Sequence, residues 1–319
     1  MLRSLLIYLS QAAWARRIVT GFGIVRRMAL RFVAGETLED AVSVIQSLNA
    51  QGMIATLDHL GENVYTPNKT LEAAQAILEC LDAIADADLQ ANVSVKLTQL
   101  GLGLDEALCV ENMHTILTRA QQRNNFVRID IEDFGSLDAT VRVYRKLRAE
   151  GFDNVGMAMQ AYLYCAEELT AELLKAGTTF RLVKGAYKEP PDVAYPKKAD
   201  VDANFDRLTA LLLDASSQDD ASMLSADGRF PAIPAIATHD EARVDFAKDY
   251  AAKLNLPSGK MEFQMLHGIR RDLQSQLVEE GYPVRIYVPF GTEWYPYFMR
   301  RLAERPANLW FIVSNFFRK

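Results

Sequence analysis

The chain has 319 residues, 50% of them hydrophobic and 24% charged, which suits a globular protein with a large core and excludes a disordered or fibrous chain. Its formal net charge of -6 argues against tracking a phosphate backbone, so no nucleic-acid partner is expected. Cys80, Cys109 and Cys165 lie far apart without CxxC spacing, which excludes a disulfide framework and suits a reducing compartment.

The first 50 residues carry helical periodicity and no strand of their own. Residues 1–35 hold six arginines and no acid, so this stretch is +6 and the remainder -12. Three readings stay open for it: the basic face of a packed helix, an amphipathic membrane-surface helix, or a transit peptide. "LLIYL", from Leu5, is too short for a secretory core, and no run approaches the roughly 20 apolar residues of a membrane span.

From Gly52 onward, short Val- and Ile-rich runs alternate with stretches of helical periodicity, the pattern of repeated βα units. The expected strands are "MIATLD" from Met53, "NVSVKL" from Asn92, "FVRIDI" from Phe126, "VGMAMQ" from Val155, "FRLVKG" from Phe180, "AIPAIAT" from Ala232, "EFQML" from Glu262 and "VRIYVP" from Val284. Helical patterns follow them in turn, at 71–85, 105–121, 139–149, 166–175, 203–215, 240–254, 270–279 and 294–304. Thr238 with Glu241 three residues on reads as a capping box. Between the fifth strand and its helix stands "AYKEPPDVAYPKK", from Ala186, whose prolines forbid helix and predict a loop over one end of the fold.

Eight strands alternating with eight helices over about 250 residues predict an α/β protein of the (β/α)8 type. A doubly wound open sheet is the runner-up. Its dinucleotide fingerprint is missing, because "GFG" at Gly21 and "GLG" at Gly101 lack the third glycine and follow no strand. The expected organisation is an N-terminal helical extension over 1–50, a catalytic barrel over 51–308 and an apolar tail over 309–319. That tail, "NLWFIVSNFFRK" from Asn308, either caps the barrel, packs at a subunit contact or touches a membrane surface.

Barrel enzymes place their chemistry at the C-terminal ends of the strands. Those positions here hold Asp58 and His59, Lys96, Asp130 with Glu132 and Asp133, Gln160, Arg181 and Lys184, Thr238 and His239, Gln264 with Leu266 and His267, and Tyr287. A charged residue in a strand buried on both faces needs a partner or a ligand, so the ring is informative. Asp130 could be only the counter-ion of Lys96. Asp58, His59, His239 and His267 could form a metal site, but no HxH or HExxH spacing joins them, and no metal is expected. Lys96 or Lys184 could serve as a Schiff-base lysine, the latter if nearby Arg181 lowers its proton affinity. In "WYPYFMRRLAERP", Arg300 and Arg301 are neighbours about 100° apart on a helix, so they cannot share one solvated stripe.

Five stretches, "RLVKGAYKE" from Arg181, "ATHD" from Ala237, "EFQMLHG" from Glu262, "RIYVPFG" from Arg285 and "YFMRRLAERPAN" from Tyr297, resemble the proline dehydrogenase family in order and spacing. "VSVKLTQLG", "RIDIED" and "MQAYLY" add earlier matches, and the resemblance covers about residues 50–308. The length is similar to the monofunctional enzymes, without a fused aldehyde dehydrogenase. The resemblance implies a distorted barrel holding FAD non-covalently, with the eighth helix lying over the mouth. It implies oxidation of L-proline to 1-pyrroline-5-carboxylate, hydride transfer to FAD and re-oxidation by a membrane quinone, the first step of proline catabolism.

By motif match, Arg300 and Arg301 would clamp the proline carboxylate with Lys96 as a third cation, since an arginine fork gives charge-assisted bonds. Asp130 would hold a clamp arginine, and Tyr287, Leu266, Tyr297 and Tyr187 would close around the ring. Arg181 and Gln160 would bond the flavin ring. Lys184, Gly185, Thr238, His239 and Glu304 would contact the rest of the cofactor, and so would Tyr187. No general base is named by the residues. Transient membrane contact is implied by a quinone acceptor, and an oligomer is left open. Bacterial cytoplasm at the inner membrane is the expected location, with a mitochondrial matrix as the alternative reading.

Overall fold

The structure, a computed structural model, describes residues 29–61, 64, 66–187 and 189–304, and only the backbone of 303 and 304. The Arg-rich segment as far as residue 28 and the tail over 309–319 lie outside the described residues.

The chain enters through α1 (Leu38–Asn49), which starts at a capping box. Thr37 Oγ1 accepts from Asp40 N and Asp40 answers at Thr37 N, satisfying two donors of the first turn. Ala41, Ile45 and Leu48 form its buried stripe, packed on the first and last strands. Then come β1 (Ile54–His59), α2 (Pro67–Asp86), β2 (Ala91–Val95), α3 (Glu106–Gln122), β3 (Val127–Ile129), α4 (Phe134–Ala149), β4 (Val155–Gln160) and α5 (Ala166–Leu174). The second half runs β5 (Phe180–Val183), α6 (Lys198–Ser216), β6 (Pro234–Ala237), α7 (Glu241–Lys253), β7 (Glu262–Leu266), α8 (Arg271–Glu279), β8 (Val284–Phe290) and α9 (Trp294–Glu304).

All eight strands are parallel, and β1 pairs with both β2 and β8, so the sheet closes into a barrel and the open-sheet alternative falls. Alternation along each strand sorts its side chains. In β8, Val284, Ile286 and Val288 join the core between sheet and helices, while Arg285 and Tyr287 turn inward. The N-terminal end of the barrel is shut by the loop before β6. Gly228 O accepts from Arg285 Nη2 at 2.9 Å and Arg229 O accepts from Asn92 Nδ2 at 3.0 Å.

Two local expectations are corrected. Thr238 does not build a capping box with Glu241: its Oγ1 accepts from Asp240 N at 3.1 Å, Asp240 is the N-cap, and Glu241 pairs with Arg270 instead. The helix after the fifth strand starts at Lys198, not Ala203, once Pro196 is passed. The described residues of the proline-rich loop as far as Lys197 are free of helix. It is tied beside the mouth by backbone bonds from Tyr195 to Tyr162 and from Tyr164 to Val193, and Glu189 accepts from Phe134 N at the start of α4.

The last helix differs from the others. Trp294, Tyr295, Tyr297, Phe298, Met299 and Leu302 bury against Ala29, Phe32 and Val33 and against Leu60 and Ile269, which follow the C-terminal ends of β1 and β7. A helix packed on strand-end loops, outside the main core cluster, lies over the barrel mouth.

Candidate active site

The barrel interior is polar in layers, and each layer orients the one above. Deepest is Arg285, fully buried, which reaches Glu262 with Nε at 2.8 Å and Nη2 at 2.9 Å. Burial alone would raise the Glu262 carboxyl; the Arg285 charge outweighs it and holds the group below the ordinary range. Beside it Arg128 donates to the carbonyls of Met157 and Thr179, and burial followed by the nearby Arg181 charge pulls its guanidinium down to about 9.

The middle layer is centred on Arg181. Its Nε donates to Gln264 Oε1 at 2.5 Å, and its Nη1 donates to Ser94 Oγ at 2.9 Å and to Asp130 Oδ1 at 2.5 Å. Its Nη2 is buried without a partner in the protein. Tyr287 covers the guanidinium, with Cζ 5.1 Å from the ring centroid, and its hydroxyl donates to Asp130 Oδ2 at 2.8 Å. Burial, then the Asp130 charge, pushes the Tyr287 phenol well above its ordinary value, so it stays a donor.

Lys96 stands at the rim, 2.8 Å from Asp58 Oδ1, 3.3 Å from the Tyr287 hydroxyl and 3.8 Å from Asp130. Asp58 is therefore the nearer counter-ion, and Asp130 serves Arg181 and Tyr287 before it serves Lys96. Lys184 binds Asp202 at 2.5 Å and Asp240 at 2.6 Å. Burial would raise both carboxyls, but the Lys184 contacts, joined by Lys198, hold them below the ordinary range. Both lysines thus sit among carboxylates, the opposite of the setting that frees an amine for Schiff-base attack.

Some of the candidate metal ligands make other contacts. His239 Nε2 accepts from Leu266 N at 3.0 Å, which puts its proton on Nδ1, and the His59 ring packs on Phe290. Among the described residues no group of three or more His, Cys, Asp or Glu could hold a metal ion.

A cavity of about 580 Å³ opens above these layers, within the range of small-molecule and cofactor sites. Of the expected residues, Lys96, Asp130, Arg181, Leu266 and Tyr287 line its floor, and Lys184, Gly185, Tyr187, Thr238 and His239 line the side reached by β5 and β6. Tyr297, Arg300 and Arg301 descend from α9. Arg301 lies on the Tyr297 ring at 5.0 Å and is 9% exposed. Gln160 sits just behind the wall. Its amide donates to the carbonyls of Ile131 and Glu132, at 2.9 and 2.7 Å, while its Oε1 is buried with no partner. The Glu304 side chain lies outside the described residues.

Sequence reasoning placed Asp58 and Gln264 in the strand-end ring without a part in binding substrate or cofactor, and passed over Ser94. The signal was present in the alternation of "NVSVK", which puts Ser94 on the inward face with Lys96. Chemically, the cavity offers cations for an anion at its mouth. At its floor, an unpartnered buried donor (Arg181 Nη2), with an unpartnered buried acceptor (Gln160 Oε1) just behind the wall, suits the amide-like edge of a planar heterocycle such as the flavin ring.

Residues 41–313 match the family model described as proline dehydrogenase. The chain is 39% identical over 319 residues to proline dehydrogenase 1 of Bacillus subtilis (strain 168), covering all of both chains. It is 40% identical over 292 residues to the proline dehydrogenase of Deinococcus radiodurans, covering 90% of this chain and 89% of that one. Among solved structures, proline utilization A from Bdellovibrio bacteriovorus is similar with a TM-score of 0.77 and 27% identity, over 88% of this chain and 33% of that one.

Proposed function

The chain belongs to the proline dehydrogenase family, oxidoreductases of proline catabolism, and from that premise we propose the finer reading: L-proline is oxidised to 1-pyrroline-5-carboxylate with non-covalent FAD as acceptor and a membrane quinone as its oxidant. The observation that carries it is the pairing, in one cavity, of a cationic mouth with an unpartnered guanidinium donor at the floor, Arg181 Nη2. When bound, FAD would supply a two-electron acceptor for the hydride on the ring carbon beside the amine.

Each side chain then has a task. Arg300 and Arg301 bind the substrate carboxylate, and Lys96, already steadied by Asp58, adds a third positive charge. Asp130 steadies this arrangement from beneath. Tyr287, Leu266 and Tyr297 wall in the pyrrolidine ring, and the closed α9 above them excludes water. Arg181 and Gln160 hold the flavin ring, where a fixed cation favours the negative charge gained on reduction. Lys184, Gly185, Tyr187, Thr238 and His239 hold the rest of the cofactor, with Glu304 beside them. Gly185 is required at its bend: its φ is +119°, and a Cβ there would come 2.4 Å from the Tyr162 ring. The quinone is met at the cytoplasmic surface of the bacterial inner membrane; among the described residues no helix is long and apolar enough to cross a bilayer.

Replacement of Arg300 or Arg301 by Met tests the reading. Each charge-assisted bond lost is worth about 1.5 to 3 kcal/mol, so the KM for proline should rise about tenfold to a hundredfold. Bound flavin should stay near wild-type content. An unchanged KM refutes the clamp.

A further inference from the structure

An arginine guanidinium has five N–H groups, and what a bound ring meets depends on which of them the protein has already used. Arg181 spends its Nε on Gln264 and its Nη1 on Ser94 and Asp130, and so keeps Nη2 uncommitted. That outcome is not the default. An arginine beside a carboxylate tends to form a two-bond fork, which here would bring Nη2 onto Asp130 and consume it. Two neighbours oppose the fork. Tyr287 occupies Asp130 Oδ2, and Gln264 anchors Nε from the other side.

Gln264 can anchor Nε only if its amide points the right way round, since an amide offers an acceptor at one end and donors at the other. The residue beneath decides this. Glu262 is ionised against Arg285, and a carboxylate only accepts. Gln264 must therefore turn its NH2 down to Glu262 Oε1, at 2.5 Å, and its oxygen up to Arg181. All four groups are at least nine-tenths buried, so no water substitutes for a lost partner.

We propose that Gln264, oriented by the Glu262–Arg285 pair, is a positioning residue for Arg181: it keeps the Nη2 donor available to the flavin and so sets the cofactor's reduction potential. The proposal rests on the FAD reading above. A positive donor at the ring stabilises the reduced, more negative flavin over the oxidised one. Losing the anchor lets the fork to Asp130 form and withdraws that donor.

The test uses the FAD-loaded full chain and two variants, Gln264→Met and Ser94→Ala. Gln264→Met should weaken the preference for reduced over oxidised flavin about tenfold, a potential about 30 mV lower for a two-electron couple. Its kcat should fall about tenfold with KM for proline changed less than about twofold, because substrate is held elsewhere. Ser94→Ala removes another of the three bonds and should shift the potential in the same direction. A folded Gln264→Met protein whose potential stays within about 10 mV of wild type overturns the proposal. If Gln264→Met does not fold, the Ser94→Ala potential decides by the same criterion. Wild-type protein that binds no FAD sinks the function proposed above, whereas wild type with flavin and variants without a shift sinks this inference alone.

Discussion

Tyr287→Phe probes the network with the smallest change in shape. The hydroxyl removed donates to Asp130 Oδ2 at 2.8 Å and receives Lys96 at 3.3 Å. Neither ion is stranded by its loss: Asp130 keeps Arg181 at 2.5 Å and Lys96 keeps Asp58 at 2.8 Å. The cost is therefore mainly the shorter of two hydrogen bonds to charged groups, about 1.5 to 3 kcal/mol, and not the 3 to 5 kcal/mol of an orphaned buried ion. With about 2 °C lost per kcal/mol in a chain of this size, Tm should fall by about 3 to 6 °C in differential scanning calorimetry. The ring remains to wall the cavity, so the KM for proline should rise by less than about tenfold. A Tm equal to wild type would mean the hydroxyl is not engaged as described, and a fall beyond about 10 °C would mean that one ion has lost its remaining partner.

Gly156→Ala should be among the costliest single-methyl changes in the barrel. A Cβ there would lie 2.4 Å from Thr179 Oγ1, 2.7 Å from Arg128 Nη1 and 2.7 Å from the Thr179 carbonyl, of which the last cannot move aside. A loss of about 3 kcal/mol or more is expected in urea unfolding, against less than about 0.5 kcal/mol for Gly103→Ala, where nothing lies within 4 Å. Burial, then the Arg271 charge, pulls His267 from 6.5 to about 4. The unfolded chain thus takes up a proton first as pH falls, and stability should be lost between pH 6.5 and about 4, by at most about 3 kcal/mol. His267→Asn should flatten that slope in denaturant midpoints measured at pH 7 and 5, and an unaltered slope would count against a partly buried neutral imidazole.

The barrel was legible because parallel strands buried on both faces leave short apolar runs, as in "VGMAMQ" and "VRIYVP", and because helical periodicity fills the gaps between them. Helix starts were less so. Asp133 caps α4 through Ser136 N, six residues upstream of the first clear apolar repeat at Ala139. The ring of polar strand ends was equally readable, but its pairings were not. Closure of the sheet brings Arg181 to Ser94 and Asp130, 87 and 51 residues away, and to Gln264 two strands along in the other direction, and no local pattern encodes those choices. Lys96 illustrates the consequence: its strand neighbour Asp58 lies closer than the Asp130 that residue type alone suggested. The position of α9 followed from the family resemblance, and its packing on Leu60 and Ile269 supplies the physical reason.

The central claim is that this cavity carries a flavin that L-proline reduces. The most direct measurement is an anaerobic titration of the purified protein with L-proline, followed by its visible absorbance. A yellow protein is expected, whose flavin band bleaches with L-proline and recovers on adding a quinone. A colourless protein, or a flavin band indifferent to saturating L-proline, would contradict it.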